Sequence, residues 1–162
     1  MQKITPFLWF DKNAEEAVNF YTSIFKNSKV GAISRYNEEA AKASGMKAGD
    51  VLVAEFEIEG QKFTALNGGP VFKFTEAVSF SVECKDQEEV DYFWEKLTSG
   101  SGQESMCGWL KDKFGLSWQI VPKELGELIG GKDAAKAGRA MHAMLQMKKL
   151  DIRTLRNAYE GK

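Results

Sequence analysis

Few side chains in this sequence are equipped for acid–base, nucleophilic or metal chemistry. There is one histidine, His142, in 162 residues, fewer than a histidine-based metal triad requires. The two cysteines, Cys84 and Cys107, are far apart and make neither a CxxC motif nor a disulfide framework. Cys107 has Lys111 and Lys113 nearby, and a cation lowers a thiol's pKa. No histidine accompanies it, so it reads as structural. Asp112 and Glu83 have the chemistry of a general acid–base pair. Carboxylates near strand ends are ordinarily solvated, and both are read that way. Gln119 remains: a neutral amide, able to donate or accept a hydrogen bond but unable to anchor a metal alone.

Gln119 belongs to an aromatic-rich run, residues 107–122, in which Gly115 separates two apolar stretches and Pro122 closes the second. That pattern reads as a hairpin ending a sheet. The elements upstream follow from periodicity. Residues 4–10 form a first strand. Asn13, with Glu16 three positions on, resembles a capping box. Ala17, Val18, Tyr21, Ile24 and Phe25 then recur at helical spacing. Residues 29–36 make a second strand, and residues 37–50 read as a loop. Val51, Val53, Phe56 and Ile58 mark a third strand, which turns through Glu59-Gly60-Gln61 into a fourth, residues 62–67.

The order then repeats. Residues 77–84 alternate as a strand. Asp86 caps a helix with Glu89 at its third position, and Val90, Phe93, Trp94 and Leu97 form its apolar stripe. Gly100 and Gly102 end it, and two or three strands follow. Strand–helix–strand–strand–strand, twice, indicates an internal duplication. After Pro122 the chain turns helical. Residues 123–129 make a turn or two, and residues 132–148 are rich in Ala and Met. Asp151 is placed to cap a last helix carrying Ile152, Leu155 and Tyr159. Met141, Met144, Leu145, Leu155 and Tyr159 are expected to be buried.

Composition bounds the rest. Hydrophobic residues are 43% and charged residues 28% of the chain, a globular profile. A net charge of -1 favours neither nucleic acid nor an anionic membrane. The basic residues Lys148, Lys149, Arg153 and Arg156 are interrupted by Asp151 and Glu160. No signal-peptide core or long apolar run occurs, so a cytoplasmic location is expected.

Several segments resemble the PhnB-like branch of the vicinal-oxygen-chelate (glyoxalase/bleomycin-resistance) superfamily, whose members carry the label 3-demethylubiquinone-9 3-methyltransferase. They are Pro6-Phe7-Leu8-Trp9-Phe10, the helix with Phe20-Tyr21 and Phe25, Leu66-Asn67-Gly68-Gly69-Pro70, and residues 107–122. The resemblance covers about residues 3–130. It implies an α+β glyoxalase-like fold in residues 1–130, with two βαβββ modules (about 1–70 and 71–122) forming an open cup-shaped sheet. Residues 131–162 are a helical C-terminal extension. It also implies a homodimer. In metal-using relatives four positions supply ligands. They fall near Thr5, Phe63 and Ala77 and on Gln119, where the relatives usually carry Glu. None of the four is ionisable, so no metal and no cofactor is expected. No GxGxxG occurs, which argues against methyl transfer from S-adenosylmethionine (SAM).

Strand parity sorts the remaining candidates. If Leu8 and Phe10 face the first helix, Thr5, Phe7 and Trp9 face the cup. The same alternation assigns Phe63, Ala65 and Asn67, then Ser79 and Ser81, then Ser117, Gln119 and Val121 to it. The expected ligand-binding set is Phe7, Trp9, Phe63, Asn67, Ser79, Ser81 and Gln119, an aromatic wall with convergent polar groups. The expected function is metal-free binding of a small organic ligand, the reaction being open. The alternatives are a metal-dependent lyase, isomerase or dioxygenase, and an interaction module whose cup is filled.

Overall fold

A computed structural model describes residues 2–162; Met1, the first residue of the expected 1–70 module, lies outside them. The chain divides into two compact units, Met1–Phe74 and Thr75–Lys162. Among the described residues there are two four-stranded sheets and six helices.

The first unit is β1 (Phe7–Phe10), α1 (Ala14–Ile24), β2 (Ser28–Arg35), α2 (Glu38–Ser44), β3 (Val51–Ile58) and β4 (Gln61–Asn67). Its sheet order is β1-β4-β3-β2, with β1 parallel to β4 and the other pairs antiparallel. One face packs on α1, where Leu8, Phe10, Ala54, Phe56 and Ala65 meet Ala17, Val18 and Tyr21, all buried. Tyr21 stacks on Phe56 at 6.0 Å between centroids, and Phe56 on Phe63 at 5.2 Å.

Two expectations fail in this unit. Residues 37–50, read as a loop, contain α2. Asn37 caps it by accepting from Ala40 N, and Gly45, at φ 72°, closes it in the left-handed region that glycine adopts freely. The side-chain cap expected from Asn13 at α1 is also not made. Asn13 occupies the cap position but its side chain makes no capping bond.

The second unit repeats the order with β5 (Ser79–Cys84), α3 (Gln87–Thr98), β6 (Gln103–Glu104), β7 (Trp109–Lys111) and β8 (Ser117–Pro122). The sheet order is β5-β8-β7-β6, and β5 runs parallel to β8. Asp86 caps α3 as expected, accepting from Glu89 N at 3.0 Å. Trp118, Ile120 and Leu110 are buried on the α3 side. Asp112, expected to be solvated, is 2% exposed. Its Oδ1 accepts from the amides of Phe114 and Leu116, and its Oδ2 from Trp118 Nε1. A short hairpin offers donors with no strand partner, and this carboxylate collects three of them.

The C-terminal helices α4 (Leu125–Gly130), α5 (Ala134–Leu145) and α6 (Ile152–Glu160) pack within this second unit. Asp151 caps α6, accepting from Thr154 N at 2.6 Å. Gln87 ties the tail down, donating to Leu150 O and accepting from Ile152 N. Cys107 N and Gly108 N donate to Met147 O and Lys148 O. Of the residues expected to be buried here, Leu155 is, but Met141 and Leu145 are 37% and 51% exposed and Met144 and Tyr159 are half-buried. The buried residues of α5 are Ala137 and Ala140 instead. Small side chains let two helices approach closely, so the alanines take the most buried positions, while Met144 packs half-buried against the cluster of Leu125, Leu150 and Leu155.

Candidate functional site

Each sheet has one face packed on its own helix and one open face. On β1 the open face carries Phe7, 63% exposed, and Trp9, half-buried. Trp9 Nε1 donates to Gly69 O, and the ring meets Phe72 edge-on at 5.0 Å. A Cβ on Gly68 would lie 2.2 Å from that ring, so glycine is required for the turn to close over Trp9. Because β1 pairs in parallel with β4, Phe7 lies beside Thr64 and Trp9 beside Leu66. Glu55 and Glu57 share this face through the β3 register, as does Lys29, which pairs with Glu57 at 3.3 Å. A hollow of about 540 Å³ lies here, lined by Thr5, Phe7, Glu55 and Thr64 among others.

The β4 register corrects two expected ligand residues. Phe63 and Asn67 lie on the α1 side, one residue out of step with the expected parity. Phe63 borders the hollow, but its ring belongs to the core stack and it is 6% exposed. Asn67 is 3% exposed. Its Oδ1 accepts from Ala14 N, its Nδ2 donates to Val51 O, and its backbone carbonyl accepts from Tyr36 Oη. Asn67 therefore supplies from a distant strand the cap that Asn13 does not. The signal for this was the missing acceptor for the Ala14 amide, which only the fold reveals.

On the second sheet the expected parity holds except at Val121, which packs against the tail core of Leu125, Leu150 and Leu155 instead of lining a cup. Ser79, Ser81, Ser117 and Gln119 share the open face, with Trp109 beside Gln119 and Lys111 beside Ser117. Gln119 Nε2 donates to Ser79 Oγ at 2.9 Å. Lys111 Nζ pairs with Glu76 at 2.5 Å, and its hydrogen bond holds the Glu76 carboxyl below the usual carboxylate range. Ser117 is fully buried, and its Oγ has no hydrogen-bond partner among the described residues. Sequence reasoning placed Ser117 on this face but did not mark it or Lys111 as functional.

The donor set does not fit a transition metal. The four positions aligned with the superfamily's ligands are Thr5, Phe63, Ala77 and Gln119, and Phe63 lies in the core. Among the described residues no three His, Cys, Asp or Glu side chains converge on a common point. A hydroxyl and a neutral amide do not make the N/O set that Zn, Ni, Mn or Fe requires. Nucleophilic chemistry at Cys84 is also disfavoured. Burial, then the negative charges of Glu89, Asp86 and Glu83, push its thiol up to about 12, so the thiolate is scarce at neutral pH. Cys107 is half-buried at φ 59° and His142 is exposed on α5. Lys148, Lys149 and Arg156 pair with Glu104, Asp91 and Glu124. No helix among the described residues is long and apolar enough to cross a membrane.

Comparison with known proteins gives a consistent placement. No curated protein matches the chain. A solved structure described as a putative 3-demethylubiquinone-9 3-methyltransferase, PhnB protein, from Bacillus cereus is 41% identical. The match covers 75% of this chain and 99% of that one, with a TM-score of 0.66. A Pseudomonas aeruginosa protein is 19% identical, with 75% and 98% covered and a TM-score of 0.59. The fosfomycin resistance protein FosX of Listeria monocytogenes is 14% identical, with 78% and 97% covered and a TM-score of 0.53. At those identities the last two bear on the fold alone, which is the glyoxalase type. The model of the 3-demethylubiquinone-9 3-methyltransferase family matches residues 2–121, and the chain belongs to that family.

Proposed function

We infer that this protein binds a small organic molecule on the open sheet faces and does so without a transition metal. The observation that carries this is the hollow beside Phe7, an aromatic side chain left 63% exposed in a concave setting with Thr5, Thr64 and Glu55. A concave setting that joins an aromatic ring to a few polar groups is the usual form of a small-molecule site. Within the second unit, taken by itself, the open face carries hydroxyls and an amide at Ser79, Ser81 and Gln119. Of the expected ligand residues, Phe7, Trp9, Ser79, Ser81 and Gln119 stay in this reading. The family label names a methyl transfer, but two βαβββ units differ from the doubly wound sheet with a Gly-rich first turn used by the common SAM enzymes. A cytoplasmic setting accords with the two unpaired cysteines.

Thermal unfolding against a panel of small aromatic acids, amines and neutral compounds, with and without EDTA, tests this. Stabilisation by some members that survives EDTA and weakens in Phe7→Ala is expected. Stabilisation that appears only with added Mn, Ni or Zn would overturn it in favour of a metal-dependent superfamily enzyme.

A homodimer is a second reading, favoured by one feature. The edge strand β2 leaves Val30 and Ile33 43% and 39% exposed. A bare edge with apolar side chains invites pairing with another chain. Sedimentation velocity at micromolar concentration should show a dimer; a monomer alone would refute it.

A further inference from the structure

On the second sheet a buried hydroxyl lacks a partner, and its strand neighbour belongs to an ion pair. In native proteins about nine in ten or more buried polar groups are hydrogen-bonded. Ser117 Oγ is an exception on the open face of its sheet. Its neighbours explain what could satisfy it. Ser117 sits on the central strand β8, facing Ser79 on one side and Lys111 on the other. Glu76 precedes Ser79 by three residues, on the turn leading into β5. The Glu76–Lys111 ion pair therefore links the turn before β5 to β7, the two strands on either side of β8. Ser79 Oγ accepts from Gln119, which leaves its own proton for another acceptor. Two hydroxyls and an ammonium thus sit side by side on one face of three adjacent strands, and a carboxylate from the chain itself holds the ammonium.

We propose that Lys111, Ser117 and Ser79 form an oxyanion subsite whose ammonium Glu76 holds as an internal placeholder, so that a small molecule bearing a carboxylate or phosphate-type group binds by displacing Glu76 from Lys111. This rests on the reading that the open face binds small molecules. The placeholder is suited to exchange. Glu76 is 61% exposed against 34% for Lys111, and it lies on a turn, so it swings out without breaking a ladder hydrogen bond. Its departure frees the ammonium beside Ser117. Hydrogen bonds from hydroxyls and an ammonium to an ionised oxygen are among the stronger ones available. The placeholder also sets selectivity, because a neutral ligand gains nothing by displacing it.

Inorganic phosphate, titrated at constant ionic strength and followed by amide chemical shifts of residues 79, 111 and 117, tests the proposal. A partly exposed ion pair is a weak competitor, so Glu76→Gln should tighten phosphate binding roughly three- to fivefold. Lys111→Met should abolish it. Ser117→Ala should weaken binding several-fold while leaving the melting temperature of the free protein unchanged or raised, because the hydroxyl has no bond to lose. Equal phosphate affinity in Glu76→Gln and the unmodified protein would overturn the proposal. So would a Ser117→Ala variant that melts earlier but binds phosphate normally. If phosphate fails this way while neutral aromatic compounds still bind, the oxyanion subsite falls alone. If neither binds, the reading beneath it falls too.

Discussion

Asn67 offers the sharpest separation between a binding and a structural role, because the sequence pattern assigns it the first and the fold the second. Replacing it with alanine removes two buried hydrogen bonds, from Ala14 N and to Val51 O, both 2.9 Å. Each is worth about 0.5–1.5 kcal/mol net, and each leaves a stranded backbone group costing about 1–3 kcal/mol where water cannot reach it. With partial relaxation the loss should be about 2–4 kcal/mol. At a urea m-value of roughly 2 kcal/mol/M, the midpoint falls by ~1–2 M. Trp9 is the one tryptophan before residue 75, so its fluorescence follows the unit that contains Asn67. Tryptophans 94, 109 and 118 contribute a constant background if the other unit is unaffected. Asn13→Ala is the matched control. A working N-cap costs about 1 kcal/mol to remove, but the Asn13 side chain makes no capping bond, so its midpoint should hardly move. If Asn13→Ala proves the costlier change, or if Asn67→Ala keeps its midpoint and instead abolishes ligand binding, the structural assignment is wrong.

Two further outcomes follow from the second unit. Trp118→Ala should cost about 3–5 kcal/mol in chemical denaturation, since the ring is 3% exposed and its Nε1 donates to Asp112, whereas Gln119→Ala should cost far less; a reversed order would mean the β8 register is off by one. Hydrogen bonds from Thr154 hold the Asp151 carboxyl below the usual carboxylate range. Its folded pKa thus lies under the unfolded one. The stabilisation is complete above the unfolded value of about 3.9 and is lost as pH falls through the folded one. Asp151→Ala should therefore cost about 1 kcal/mol at pH 7, with the gap to the unmodified protein closing in acid; a gap that widens in acid would refute the cap.

The strands and long helices were readable because burial on one face writes a period into the residues. β1 shows this, with Leu8 and Phe10 buried while Phe7 is exposed. β4 carries no such period. Phe63, Thr64, Ala65 and Asn67 are all buried, so neither face is marked by polarity. Its parity is fixed by pairing with β1, more than fifty residues earlier, which local pattern does not carry. The helix α2 was missed because its alanines gave no stripe, although Asn37 and Gly45 were present as caps. In α5 the error came from expecting the largest apolar residues to be the contact residues. Ser117 and Lys111 were hidden for a different reason. A lone serine and lysine have no motif, and they acquire meaning through neighbours brought together by strand order.

The amides of Cys107 and Gly108 have one further consequence. Both donate to carbonyls of the tail, at Met147 and Lys148, and not to their own sheet. Their deuterium uptake is therefore gated by release of the C-terminal helices. The central amides of β8 wait instead for the sheet to open. Two adjacent protons thus report the lifetime of tail attachment separately from that of the sheet, and their protection factors convert directly into the free energy of detachment.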